Sequence, residues 1–175
     1  MWRSIFGNFG VRVLSALLNL GLVILFSQLT GAVGKGEQSL LLTSVAIITI
    51  FDSLVGGAAL VYLSSRYSWS QLIKASYAWV FVVSIFAFLL LEAFHIFETK
   101  HLLHIILLSA ISSISSVHAS LLLGQQRLKA FNFVQILVPL ITFATCVGQW
   151  FVYRQLDYIV ALYVSYLVAL LTSFI

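Results

Sequence analysis

An all-α integral membrane protein, a bundle of six transmembrane helices, is the fold class the sequence predicts, and three observations predict it. Of the 175 residues, 62% are hydrophobic and 8% charged, where a soluble domain carries roughly 25% charged residues. Mean hydropathy is +1.11. The apolar residues fall in runs long enough to cross a hydrocarbon core of about 30 Å as helices, broken by short polar interruptions. The spans are expected at about 11–30, 39–65, 72–94, 102–123, 132–152 and 157–175, forming one transmembrane unit over 1–175. They use up the chain, so no folded aqueous domain is expected and any site must lie within or between helices.

The first span begins after Arg3 and Arg12. A secretory signal is excluded, because the apolar stretch Val13 to Leu29 exceeds the ~7–15 residues of a signal core and no A-x-A cleavage pattern follows it. Arg12, Ser15, Asn19, Ser27 and Thr30 fall along one side of this helix. The glycines of Gly31-Ala-Val-Gly34-Lys35-Gly36 shape a tight turn. They do not form a phosphate-cradling Walker sequence, so ATP hydrolysis is not expected.

In the second span, from Ser39 to Ser65, the only acidic or basic residue is Asp52. An acid near mid-bilayer costs about 2.5–3.5 kcal/mol on insertion scales, so such residues face a bundle interior or an aqueous cavity. Thr49, Gly56 and Ala59 lie on the same side of the helix. Two roles fit Asp52, a coupling acid on a transport pathway or an interhelical hydrogen-bonding group. The third span offers only Ser84 between Val80 and Leu91, which suits a helix facing lipid.

The connection to the fourth span holds His95, Glu98, His101 and His104. The last three have helical spacing for a metal, but HExxH and CxxC patterns are absent and no metal or other cofactor is expected. Ser109, Ser112, Ser113, Ser116 and Ser120 then form a ladder along helix four, with His118 pointing away from it. Helix five repeats the device through Asn132, Gln135, Pro139, Thr142, Cys146 and Gln149. Pro139 cannot donate to the Gln135 carbonyl, a break that membrane helices tolerate where they line protein or water. Each stripe alone is accounted for by helix packing. Together with the Asp52 face they predict one hydrated cavity among helices one, two, four and five, with helix three outside it.

Charge excludes other classes and orients the chain. The nine Lys and Arg are scattered, without the clustered stripe that nucleic-acid binding needs. The lone Cys146 excludes an intrachain disulfide, and no Ser-His-Asp constellation is present, so the chain is not expected to be an enzyme. Arg3, Arg12, Arg66, Lys74, Arg127 and Lys129 fall on one side of the membrane, against Lys35, Lys100 and Arg154 on the other. The positive-inside rule then puts the N-terminus in the cytoplasm. Trp2, Trp69, Tyr77, Tyr153 and Tyr158 lie near predicted interfaces and are expected to anchor there.

Leu29-Thr-Gly-Ala-Val-Gly-Lys-Gly-Glu37 followed by Ser39-Leu-Leu-Leu42 resembles the first loop of bacterial polysaccharide-biosynthesis membrane proteins. These are O-antigen translocases, lipid-linked oligosaccharide flippases of the multidrug and polysaccharide exporter superfamily. Gly56-Gly-Ala-Ala59 with Tyr62-Leu-Ser-Ser-Arg66 resembles the end of their second helix, and Leu123-Gly-Gln-Gln-Arg127 with Asn132 their fourth loop. Ala32 stands where a proline is usual and Lys35 where arginine is frequent. The resemblance implies the N-terminal lobe of a two-lobed transporter of 12–14 helices, and the apolar run reaching Ile175 fits a chain that continues into a second lobe.

It further implies movement of an undecaprenyl-pyrophosphate-linked oligosaccharide across the bacterial cytoplasmic (inner) membrane, with membrane lipids and polysaccharide assembly proteins as partners. Arg12 would pair with the pyrophosphate as a bidentate guanidinium, or serve as a positive-inside anchor. The candidate cavity residues are Arg12, Asn19, Asp52, Ser116, Gln135, Thr142 and Gln149, with Asp52 as the coupling acid. The alternatives are a multidrug exporter of the same fold and a polytopic polysaccharide polymerase or assembly subunit.

Overall fold

Gly31 decides how the chain begins. In this computed structural model its backbone lies at φ 69°, ψ −167°, the single non-helical residue inside a helical run, α1, from Trp2 to Gly56. The structure describes residues 2–94, 99–154 and 156–174, with side chains described from residue 9 in the first segment and residue 101 in the second. After α1 come α2 (Ala58–Leu63), α3 (Trp69–Ala93), α4 (Thr99–Gly124), α5 (Leu128–Tyr153) and α6 (Tyr158–Ser173). Among the described residues there are no strands. α1, with its short continuation α2, α3, α4 and α5 are long and apolar enough to cross a membrane, and α6 is a shorter apolar helix.

Six separate spans are thus corrected to five apolar helical runs, because the first two expected spans share one run and the expected connection at 31–38 is helical except at Gly31. The run nevertheless reverses. In a straight helix Arg12 and Thr49 would stand roughly 55 Å apart, yet both line one cavity of about 900 Å³. The chain turns at Gly31, whose positive φ with extended ψ is a conformation essentially open to glycine alone. Gly34 completes the turn by close approach, since a Cβ there would stand 2.6 Å from that of Thr30. A second break at Gly57, also outside helical geometry, separates α2.

α4 is the hub. Just over half (56%) of its most apolar window is buried, against 28% for α3 and for α5. Leu41, Val45 and Ile48 of α1 pack with Val83 of α3, Ile105 and Leu108 of α4 and Leu162 of α6. Leu60, Leu72, Val117 and Leu121 join α2 and α3 to α4, while Leu122, Val134 and Ala169 join α4 to α5 and α6. Leu22 from the first half of α1 packs with Cys146 and Ala161. Small residues on α4 let its neighbours approach: a Cβ on Gly124 would collide with Ser64 and the Val61 carbonyl.

The outer face of α3 carries Phe81, Val82, Ile85, Phe86 and Leu89, all exposed. Its inner face buries Val80, Val83, Ser76 and Ser84. Tyr77, expected at an interface, instead reaches inward to His118, 2.6 Å from its Nε2. Ser173 holds the other ring nitrogen at 3.2 Å while donating to the Leu170 carbonyl. Since the Ser173 hydrogen is spent on Leu170, Nδ1 is the donor to Ser173 and Nε2 accepts from Tyr77. His118 thereby ties α3, α4 and α6 together.

Candidate functional site

A cavity with polar groups on its wall lies between the first half of α1 and helices α4, α5 and α6. It measures about 900 Å³ and is lined by Arg12, Ser15 and Asn19 from α1, Ser112, Ser115 and Ser116 from α4, and Asn132, Gln135, Pro139 and Thr142 from α5. Thr49, from beyond the Gly31 reversal, completes the wall together with Tyr158, Leu162 and Tyr166 of α6. Stripes set at three- and four-residue spacing on three different helices converge here. Pro139 belongs to the same wall, and α5 continues as one helix through it. It leaves the Gln135 carbonyl without its helical amide donor.

Of the candidate residues, Arg12, Asn19, Ser116, Gln135 and Thr142 are therefore brought together. Among the described residues Arg12 is the only basic one on this wall, beside hydroxyl and amide groups. Such a wall can hold an anionic group: a guanidinium donates to two oxygens of a phosphate while hydroxyls and amides complete its hydrogen bonding.

Gln149 does not join them. It lines a second cavity of about 750 Å³ at the other end of the helices, with Thr30, Gly34, Glu37, Gln38, His101, Tyr153 and Asp157. The Gln149 side-chain Oε1 accepts from the Asp157 backbone amide at 3.0 Å. Asp157 caps α6 by accepting from the Ile159 and Val160 amides. The expected single cavity is thus two, and the reason lies in α5, where Cys146 sits on the polar stripe between Thr142 and Gln149 but is fully buried against Leu22 and Ala161.

Asp52 lines neither cavity. Its side chain is 3% exposed and turned to α4, where Ser113, 2% exposed, donates to its Oδ2. Oδ1 is buried with no hydrogen-bond partner. Gly56, one turn on, faces the same helix, with Val117 only 3.2 Å from where a Cβ would stand. The Asp52 face thus packs on helix α4, and only its edge, at Thr49, reaches the cavity.

His104 pairs through Nδ1 with the Tyr163 hydroxyl at 3.1 Å, and His101 lines the second cavity. His95 and Glu98 lie outside the described residues, among which no group of three metal-ligating side chains occurs. The α6 contributions, Tyr158, Leu162 and Tyr166, were missed from the sequence. Helix six has no polar stripe to flag them, and the aromatic at its start reads as an interface anchor. Compared with protein-family models, with curated proteins and with solved structures, the chain has no match in any of the three.

Proposed function

We propose that this chain is a membrane-embedded helical unit of a transporter whose Arg12 cavity receives an anionic lipid headgroup, in the manner expected of a lipid-linked oligosaccharide flippase. The observation that carries the reading is the company Arg12 keeps: among the described residues it is the single guanidinium lining a cavity whose other polar groups, Ser15, Asn19 and Gln135 among them, are hydroxyls and amides. A plain positive-inside anchor needs only water and lipid phosphate around it. The exposed apolar faces of α3 and α6, including Phe81, Phe86 and Leu171, supply the lipid-facing surface such a unit requires. The finer elements of the proposal are two spans made by the Gly31 reversal, one lobe of a larger two-lobed transporter, the bacterial cytoplasmic membrane and a cytoplasmic N-terminus.

A cation-selective multidrug exporter is less well supported, because Asp52, the acid it would use to attract a cation, is turned away from the cavity. The test is binding of a polyprenyl pyrophosphate to the purified chain in detergent. Charge-assisted hydrogen bonds are worth about 1.5–3 kcal/mol, so Arg12→Ala should weaken binding roughly ten- to a hundredfold. Arg12→Lys should restore part of it, keeping the charge but not the fork. Equal binding by Arg12→Ala and the unmodified chain would discard the proposal.

A further inference from the structure

The two cavities lie in series along the helices and have one lining residue in common, Tyr158. Its ring meets Phe26 edge-on, with centroids 5.1 Å apart and planes at 73°. Its hydroxyl faces Gln38, and the Gln38 amide oxygen is held by the Lys35 ammonium at 2.7 Å. Phe26 and Gln38 are 4% and 5% exposed, so this is a closed contact in the interior. On one side of it hydroxyls and amides, Ser116 and Thr142 among them, stand between apolar side chains; on the other stand Gln149, Glu37, Asp157 and His101. Polar walls of this kind hold water. The separation between two wet spaces is then a few side chains deep, and it is built from one face of α6 against both halves of α1.

We infer that the two cavities are the halves of one polar path through this helical unit, and that Tyr158, packed on Phe26 and paired with Gln38, is the barrier that closes it. The path fits water and small neutral polar solutes, since most of its polar groups are hydroxyls and amides set among apolar side chains, while Arg12 in one half opposes inorganic cations and Glu37 and Asp157 in the other oppose anions. The barrier also adjoins the chain reversal. Thr30 donates to the Phe26 carbonyl at 2.8 Å, one residue before Gly31, so a rotation at Gly31 carries the Phe26 wall with it. The inference rests on the membrane-spanning reading but not on the identity of the headgroup proposed above.

The experiment is two-sided thiol labelling of the full chain in sealed vesicles, with Cys146, the sole cysteine, replaced by Ser. Ser116→Cys reports the Arg12 cavity and Gln149→Cys the other. A membrane-impermeant methanethiosulfonate should modify each from one face only, and the two from opposite faces. Adding Tyr158→Ala should raise Ser116→Cys labelling from its silent face to the level of its open face, while Tyr158→Phe, which keeps the ring against Phe26, should leave it low. Phe26→Ala removes the barrier from the other side and decides the matter if Tyr158→Ala does not fold. Silence at that face in a folded Tyr158→Ala or Phe26→Ala protein would overturn the barrier. Labelling of Ser116→Cys and Gln149→Cys from the same face would overturn the spanning arrangement itself, a different failure, and headgroup binding is read by neither.

Discussion

Asp52 and Thr49 stand three residues apart on one helix, and the small angle between them separates a buried hydrogen bond from a cavity wall. Ser113 satisfies one oxygen of the Asp52 carboxyl and nothing described satisfies the other. A buried acceptor that loses its donor bears its full desolvation penalty, whereas removing both partners together can be nearly neutral. Ser113→Ala should therefore cost about 1–3 kcal/mol of stability, and Asp52→Leu combined with Ser113→Ala much less than the two single changes added. Thermal unfolding of the three variants in detergent measures this. Additive losses would show that the two side chains do not act as a pair. A coupling role makes a separate demand: Asp52→Asn, which keeps an acceptor for Ser113, should leave abundance intact but impair export in cells. Full export over a range of pH would leave Asp52 with its structural role alone.

At the scale of the element, the reversal in α1 depends on one backbone conformation. A Cβ on Gly31 would meet nothing within 4 Å, so substitution there is opposed by backbone strain and not by crowding. Gly31→Ala should destabilise by about 1–3 kcal/mol, the cost of holding a side-chain residue in that region. Gly36 gives the contrast. It is helical and also has open space around a Cβ, so Gly36→Ala should be neutral or stabilise by roughly 0.5–1 kcal/mol. Equal unfolding temperatures for the two variants would remove Gly31 as the origin of the turn. Gly124 is constrained differently, by the Ser64 side chain and the Val61 carbonyl beside it; there alanine must push α2 away from α4.

For the whole molecule, the reversal at Gly31 and the return at Gln126 lie at opposite ends of the helices. Val33, 77% exposed, and exposed Gln126 are the natural reporters. With basic residues retained on the cytoplasmic side, an impermeant thiol reagent outside the cell should label Val33→Cys and spare Gln126→Cys. The opposite pattern would invert the topology, and labelling of both would break the hairpin. His118 contributes at this scale too, since its contacts with Tyr77 and Ser173 join three helices. His118→Ala leaves a cavity and two hydroxyls without their shared partner.

Composition and periodicity were sufficient for the helical class, for most helix ends to within a few residues and for the polar stripes of helices one, four and five, because these depend on local hydropathy and on 3.6-residue spacing alone. The convergence of Arg12, Asn19, Ser116, Gln135 and Thr142 could be anticipated for the same reason: a polar face in an apolar bundle has few places to go. The division of the α5 stripe could not. Cys146 and Gln149 are equally eligible by spacing, and the tertiary packing of Leu22 and Ala161 against Cys146, with Tyr158 on the same cluster, sets them apart. Nor could the fate of Asp52, whose helix carries Thr49, Asp52 and Gly56 on one broad face. Which edge of that face meets α4 and which meets the cavity is a rotation of tens of degrees, chosen where Gly56 lets Val117 approach. The reversal at Gly31 was legible as a turn, but its single-residue tightness came from the tertiary structure, where Gly34 admits the Thr30 side chain and the two halves of α1 close around the same polar space.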